Sequence, residues 1–274
     1  MSDFLSQMAE SSRRRADEAI SRPGAAGFTS RALSARPALP LVLSENGFDL
    51  IAEAKLASPA DGRLVPEEGG SAAVVKLARS YETAGALAVS VLTVPDRFDG
   101  SLAHLEAAAD AVDIPILRKD FLVDPIQILE ARASGASGVL LIAKMVSGER
   151  LADMTDQALS LDMFVVIEIF DESDLASASV VFDRDILIGV NTRDLITLEV
   201  DSSRLGTMAP RLPENLPAVA ESGIHSTGDA IEAVRLGYRL ALVGTGLVTS
   251  ADPGAAARAL ISAGRLAAGV GSPR

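Results

Sequence analysis

The sequence alternates short apolar runs with stretches of helical periodicity, and eight such runs lie along its 274 residues. This alternation is typical of parallel β/α units. Because the runs are apolar without interruption, they suit strands that are covered on both faces. The predicted strands are residues 48–55, 86–93, 114–119, 137–143, 163–169, 185–191, 217–222 and 239–244.

Helical periodicity separates most of these runs. Ser, Asp or Pro near the first turn begins several of the helices, and Gly85, Gly135 and Gly237 are expected to end three of them. The predicted helices include residues 71–84, 101–111, 125–134, 171–179, 226–236 and 253–265.

Two terminal segments flank the repeated units. Residues 1–47 form a helical extension, in which one amphipathic helix presents Phe4, Leu5 and Met8 on one side and a proline-rich connector follows. We expect this extension to cover the mouth of the fold. Residues 266–274 are expected to be a frayed tail, because they hold turn-forming residues and little apolar periodicity.

The distribution of polar residues favours a closed barrel over an open doubly wound sheet. An open sheet concentrates its ligand groups near one switch point, whereas here unusual residues end nearly every run. They are Glu53 and Lys55, Thr93, Lys119, Glu168, Asn191 and Arg193, Ser222, Gly244 and Thr245. In a barrel these strand ends converge on one face, where barrel enzymes keep their active sites. The predicted fold is therefore an α/β protein, a (β/α)8 TIM barrel over residues 48–265.

Charge and hydropathy exclude several classes of partner. The net charge of −12 argues against nucleic acid, because a phosphate backbone is bound by a clustered positive field. The one basic run, Arg13 to Arg15, is interpreted as the solvated face of the first helix. Neither a membrane span nor a signal peptide is expected, since the apolar stretches are short and an acidic residue stands early.

Cysteine is absent, which excludes disulfides, thiolate metal sites and a cysteine nucleophile. The composition suits a reducing compartment, so a cytoplasmic location is expected. The two histidines, His104 and His225, lie far apart without a metal-binding spacing, so no metal site is predicted.

Two lysine and carboxylate groupings indicate proton-transfer chemistry. Glu53 and Lys55 stand two apart on a strand, so their side chains share one face, which points into the barrel. Lys119 ends the third run, where partial desolvation is expected to lower its pKa. Glu168 lies inside an apolar strand, where a carboxylate is costly without a partner or a function. The alternatives are an internal salt bridge for the first pair and a surface lysine at position 119.

The last two runs end in small residues at turns that lead into helices. Such turns expose backbone N–H groups, so Ser222, Gly223, Gly244 and Thr245 are interpreted as a phosphate cradle. Barrels commonly assemble a phosphate site after strands seven and eight. The alternative is that the glycines only shape turns. These residues indicate an enzyme for a phosphorylated anion, and leave isomerase, aldolase and cyclase open.

A series of sequence blocks resembles the indole-3-glycerol-phosphate synthase family, in the family's order and over about residues 1 to 262. The blocks are IAEAKLASPADG at 51–62, SVLT at 90–93, FDGS at 98–101, RKDF at 118–121, DPIQI at 124–128, LLI at 140–142, EIFDESDL at 168–175, GVNTRDL at 189–195, AESGI at 220–224 and VGTGL at 243–247.

The resemblance implies the closure of 1-(2-carboxyphenylamino)-1-deoxyribulose 5-phosphate to indole-3-glycerol phosphate in tryptophan biosynthesis. Carbon dioxide and water are lost, so the enzyme would be a carboxy-lyase that needs proton transfer and electrostatics but no cofactor. The implied partner is this small phosphorylated substrate. Contact with other enzymes of the tryptophan pathway is left open.

The resemblance also implies roles for individual residues. Lys119 would be the acid that activates the substrate ketone, Lys55 would hold the substrate carboxylate, and Glu168 would act in the dehydration. Glu53 and Asn191 would orient the substrate's hydroxyls and the lysines. The implied substrate-binding and phosphate-binding residues are Ser58, Phe121, Arg193, Glu221, Ser222, Gly223, Gly244 and Thr245.

Several positions depart from the family's pattern, and two alternatives follow from them. The departures are Leu56, Ala60, Asp61, Val94, Ile126 and Phe170. They leave open a paralogue that acts on a substituted substrate. A non-catalytic phosphate-binding barrel is the other alternative, although a binder has no need of two buried lysines. Phosphoribosylanthranilate isomerase would rely on a Cys/Asp pair, which this chain lacks.

Overall fold

Eight parallel strands close into a barrel in the computed structural model, which describes residues 4–22, 27–45, 47–65, 70–194 and 197–270. Each strand pairs with the next along the chain, and the eighth pairs with the first. The strands are β1 Asp49–Ala54, β2 Ala88–Leu92, β3 Ile116–Lys119, β4 Gly138–Ile142, β5 Phe164–Ile169, β6 Leu187–Asn191, β7 Ala218–Glu221 and β8 Leu240–Val243. Each lies within a predicted run, so the predicted (β/α)8 barrel is confirmed.

The strands are apolar throughout because both of their faces are covered. In β1, Leu50 packs in the layer between strands and helices, while Ile51 packs in the barrel interior. Side chains alternate between the two faces of a strand. Glu53 therefore follows Ile51 into the interior, as the sequence predicts.

Helices surround the strands, and all six predicted segments are helical. The helices are α1 Phe4–Ser21, α2 Phe28–Ser34, α3 Gly70–Ala84, α4 Leu102–Ala111, α5 Pro125–Ala133, α6 Gly148–Ser160, α7 Glu172–Ala178, α8 Ser203–Met208, α9 Thr227–Arg235, α10 Thr245–Val248 and α11 Pro253–Val270. Gly85, Gly135 and Gly237 have positive φ directly after helices, which fits their predicted role as helix ends. None of the described helices is long and apolar enough to cross a membrane.

The terminal segments differ from the prediction in two respects. The N-terminal extension holds a second helix, α2, where the sequence predicts one helix and a connector. At the other end, α11 continues to Val270, so the segment predicted to be frayed from residue 266 is helical to that point. Ala267 and Ala268 favour a helix. Residues 271–274 lie outside the described residues.

The basic run of α1 is solvated only in part. Arg13 and Arg14 are exposed, as interpreted from the sequence. Arg15 instead turns toward the barrel and forms an ion pair with Asp120, with 2.8 Å between Nη2 and Oδ1. The interpretation is therefore wrong for Arg15, because its partner lies 105 residues away in the chain.

Candidate active site

The carboxyl ends of the strands surround one cavity, and all of the residues predicted for the site line it. They are Glu53, Lys55, Ser58, Lys119, Phe121, Glu168, Asn191, Arg193, Glu221, Ser222, Gly223, Gly244 and Thr245. Six strands and the loops that follow them contribute these residues, which explains why they are so dispersed in the sequence. These residues therefore lie together at one face of the barrel, as the sequence predicts.

Glu53 and Lys55 form an ion pair on the β1 side of the cavity. The Lys55 Nζ lies 3.2 Å from Glu53 Oε1, and the two side chains are 11% and 5% exposed. Gly244, at the end of β8, adjoins this pair. A Cβ at position 244 would overlap the Glu53 carboxylate and would lie 3.1 Å from Lys55 Cε. Gly244 therefore makes room for the ion pair, a role that the turn alone does not reveal.

Lys119 bridges two buried carboxylates across the cavity. Its Nζ lies 3.0 Å from Glu168 Oε2 and 3.3 Å from Glu221 Oε2. The Glu168 and Glu221 side chains are 2% and 1% exposed. The three residues end or nearly end β3, β5 and β7, so the barrel brings them together from separate strands.

The pKa of Lys119 is raised, not lowered as the sequence predicts. Burial alone would lower it, but the negative charges of Glu168, Glu221 and Glu53 outweigh the desolvation and hold the pKa well above its usual range. The prediction counted desolvation and missed carboxylates that reach the lysine from other strands. Lys119 is therefore a cation that carries a proton toward the cavity.

The sequence analysis treats Glu221 as a binding residue and misses its acid chemistry. Burial and the neighbouring charge of Glu168 raise its pKa well above the usual range, although Lys119 opposes the shift. Its Oε1 is buried and accepts no hydrogen bond from the described residues. Since a proton on Glu221 can be shared with Glu168, the pair can hold one proton between two carboxylates.

A signal for Glu221 was present in the sequence. It ends an apolar run, the same context that identified Glu168. On the neighbouring strand stands Gly189, where a Cβ would overlap the Glu221 carboxylate. A glycine inside an apolar strand often marks such a close approach.

Asn191 organises the turn after β7. Its Oδ1 accepts hydrogen bonds from the Ser222 hydroxyl and from the backbone N–H of Arg193, each at 2.9 Å. Ser222 and Gly223 have φ of 63° and 70°, a left-handed pair that turns the chain sharply at the cavity. Because the Asn191 oxygen is engaged, its amide NH2 is the group left to meet a ligand. Arg193 is held by a bond from Nη1 to the carbonyl of Leu198 at 2.8 Å.

Asp61 accepts hydrogen bonds from two of the residues that are predicted to bind substrate. It lies in a hairpin after β1, whose two short strands are Ala57–Ser58 and Gly62–Arg63. Asp61 Oδ2 accepts bonds from Ser58 Oγ at 2.8 Å and from Thr245 Oγ1 at 3.2 Å. Partial burial opposes ionisation, but these bonds and the charges of Lys55 and Arg193 lower the pKa of Asp61. The free chain therefore presents an anion of its own at this part of the cavity.

Three phenylalanine rings form one wall of the cavity. The Phe121 centroid lies 5.8 Å from that of Phe4 and 6.1 Å from that of Phe98. Phe4 comes from α1 and Phe98 from the segment between β2 and α4. Such edge and tilted contacts are favourable between aromatic rings. The wall offers an apolar, aromatic surface beside the charged groups, which suits a ligand with both an aromatic ring and anionic groups.

Sequence comparison matches this chain to the family model described as indole-3-glycerol phosphate synthase, over residues 6–260. The chain belongs to this family. Two similar proteins with the name indole-3-glycerol phosphate synthase come from Rhodococcus opacus (strain B4) and Mycobacterium avium (strain 104). The first is 44% identical over 241 residues, which cover 87% of each chain. The second is 45% identical over 235 residues, which cover 85% of this chain and 84% of the relative.

Solved structures of other enzymes share the barrel. The 3-hexulose-6-phosphate synthase of Salmonella typhimurium has a TM-score of 0.63 at 13% identity, over 79% of this chain and 98% of that chain. The thiamine phosphate pyrophosphorylase of Pyrococcus furiosus has a TM-score of 0.58 at 16% identity, over 82% and 98%. At such identities the likeness shows the fold alone.

Two of the positions interpreted from the sequence as departures from the family's pattern lie at the cavity. Val94 and Ala60 line the cavity. Phe170 is buried directly after β5, and Lys144 Nζ lies 4.3 Å from the centre of its ring.

Proposed function

We propose that the chain closes 1-(2-carboxyphenylamino)-1-deoxyribulose 5-phosphate to indole-3-glycerol phosphate, as a cofactor-independent carboxy-lyase of tryptophan biosynthesis. The observation that carries the proposal is the convergence of cationic Lys119 with two buried carboxylates, Glu168 and Glu221, in one cavity. A second lysine and carboxylate pair lines the same cavity. This arrangement suits a reaction that consists of proton transfers around one small anion.

The proposed substrate has three parts, and the cavity offers a complement for each. Its aromatic ring would lie against the wall of Phe4, Phe98 and Phe121. Its phosphate would bind at the turns after β7 and β8, which Ser222 and Gly244 begin. Its carboxylate would meet Lys55, which needs only to exchange part of its contact with Glu53.

In the ring-closing step, Lys119 would donate a proton to the oxygen of the substrate ketone. The ring carbon that bears the carboxylate then bonds to the ketone carbon, and the ketone oxygen becomes a hydroxyl. The bond between this ring carbon and the carboxylate breaks next. Carbon dioxide leaves, and the electron pair of the broken bond stays on the ring and restores its aromaticity. The net reaction consumes one proton, which Lys119 supplies and regains from solvent. The raised pKa of Lys119 keeps it protonated before substrate binds, but it also makes the ammonium a weaker acid, so the transfer depends on its position beside the ketone oxygen.

The dehydration step needs an acid and a base close together. The new hydroxyl leaves as water when it receives a proton, and the adjacent carbon loses one to complete the indole. Glu168 and Glu221 can share one proton, so we assign them to this step, with Glu168 as the base. Glu53 and Asn191 would orient the hydroxyls and the lysines.

The N-terminal segment would contribute to the proposed function by covering the cavity. Residues 1–47 would cover the mouth of the barrel formed by residues 48–265, since Phe4 of α1 lines the cavity. Covering a site excludes water and strengthens the electrostatic interactions within it. The cytoplasmic location expected from the composition stays a prediction.

The experiment that tests the proposal is a cofactor-free assay with 1-(2-carboxyphenylamino)-1-deoxyribulose 5-phosphate, followed by indole fluorescence. We expect turnover by the wild-type chain and almost none by Lys119→Met. Phosphate binding without turnover at high enzyme concentration would instead support a non-catalytic barrel. Faster turnover of a ring-substituted substrate would support the paralogue.

A further inference from the structure

An arginine of the N-terminal helix reaches the strand end that carries Lys119. Arg15 Nη1 and Nη2 each donate to one oxygen of Asp120 at 2.8 Å, a bidentate pair. Asp120 directly follows Lys119, and its side chain is completely buried. Paired, parallel bonds of this kind fix the orientation of both groups.

The Asp120 carboxylate is held from the barrel side as well. It accepts bonds from Thr93 Oγ1 at 2.7 Å, from Arg118 Nη2 at 3.1 Å and from the backbone N–H of Phe121 at 2.8 Å. Burial disfavours its charge, yet the bonds and charges of Arg15 and Arg118 hold its pKa well below the usual range. Asp120 is therefore ionised at neutral pH and joins β3 and the residue after β2 to α1.

A second contact ties the same part of α1 to the same loop. Gln127 Nε2 donates to Ser12 Oγ at 2.9 Å, and Ser12 lies about one turn before Arg15. Gln127 Oε1 in turn accepts from the backbone N–H of Val123 and of Asp124. The loop from β3 to α5 and the first turn of α5 are thus fixed to α1 by one part-buried and one buried polar contact.

We propose that Arg15 is a positioning residue, which acts through Asp120 to hold Lys119 and Phe121 in the geometry that the reaction needs. The inference rests on the proposed function. Asp120 lies between these two residues in the chain, so a rotation of its backbone moves both the proton donor and the aromatic wall. A displacement of about 1 Å at a reacting group can cost on the order of 10²-fold in rate. The helix would therefore contribute to the chemistry as well as cover the cavity.

The Arg15→Met variant is expected to fold. Arg118 remains beside Asp120 and continues to balance its charge. Arg15 is also 23% exposed at its side chain, so the variant opens no sealed cavity. Arg14→Met is a matched control, since Arg14 is 61% exposed and pairs only with exposed Glu10 at 3.5 Å among the contacts described.

The test compares steady-state kinetics and amide hydrogen exchange for wild type, Arg15→Met, Arg15→Lys and Arg14→Met. For Arg15→Met we expect kcat to fall by about 10- to 100-fold with a smaller change in KM. Exchange should rise at the Phe121 amide, which bonds to Asp120. Arg15→Lys should recover part of the rate, because a lysine replaces one of the two bonds. Arg14→Met should match wild type in both measurements.

Wild-type kcat in Arg15→Met, or unchanged exchange at Phe121, would overturn the positioning role. A loss of rate that Arg14→Met shares would overturn it too, since it would reflect the charge of the helix alone. An inactive wild-type chain would overturn the proposed function instead. Unchanged exchange in Arg15→Met would count against the positioning role even then.

Discussion

Gly189 on β6 leaves the space that the carboxylate of Glu221 fills on β7. A Cβ at position 189 would overlap Glu221 Oε1 and would lie 3.2 Å from Val166 Cγ1. The neighbouring strands therefore depend on each other: one carries a buried acid, and the other lacks the side chain that would exclude it.

Gly189→Ala should displace Glu221, lowering both the thermal midpoint and the turnover. Overpacking a buried site typically costs about 1–3 kcal/mol. The double variant Gly189→Ala with Glu221→Ala should regain most of the lost midpoint, because the overlapping group is gone, but it should stay slow. Calorimetry and the fluorescence assay measure the two effects. Additive changes in midpoint would show that the residues are not coupled.

Lys119→Met should leave the barrel folded and reduce turnover by about 10²-fold or more, the effect of removing a positioned general acid. Lys76→Met is the matched control, since Lys76 is an exposed lysine on α3. Circular dichroism checks the fold and indole fluorescence checks the rate. Near-normal turnover in the Lys119 variant would remove this residue from the mechanism.

Glu168→Gln should lower kcat much more than it changes KM, because its proposed role is confined to proton transfers after substrate has bound. The neutral amide keeps the shape of the side chain and can still accept one hydrogen bond from Lys119. Steady-state kinetics separate the two parameters. A change in KM alone would make Glu168 a binding residue.

The prediction of the fold was accurate because the signal was local. Each barrel strand is a run of residues covered on both faces, so apolar continuity marked all eight, and the strand ends then identified the cavity. The errors concern relations between distant segments. The raised pKa of Lys119 depends on carboxylates from β1, β5 and β7, and the burial of Arg15 depends on Asp120. Such contacts cannot be predicted from the residues of a single segment. A glycine such as Gly189 is an exception, because it indicates a close approach by a neighbouring side chain.

The pKa of Glu221 implies a specific dependence of stability on pH. Because its pKa in the folded chain is raised above the ordinary value of 4.5, the folded state binds more protons than the unfolded state above that pH. The contribution of Glu221 to stability therefore falls as pH rises from about 4.5 through the raised pKa. The thermal midpoint of Glu221→Gln should therefore rise relative to the midpoint of wild type as pH increases from 4.5 toward 8. A constant difference in midpoint across this range would contradict the raised pKa.

The last prediction concerns the proposed phosphate site, where Asp61 accepts bonds from Ser58 and Thr245. A bound phosphate would compete with this carboxylate for the same hydroxyls and would be repelled by its charge. Asp61→Asn should therefore bind inorganic phosphate about two- to fivefold more tightly, the range of interactions between exposed charges. Asp153→Asn on α6 is the matched control, because it changes the net charge equally at an exposed position away from the cavity lining. Gly244→Val is a poorer test, since its side chain would displace Glu53. Titration calorimetry at low ionic strength measures the affinities. Equal affinity in the two variants would show that Asp61 does not compete, and no phosphate binding in any variant would place the cradle elsewhere.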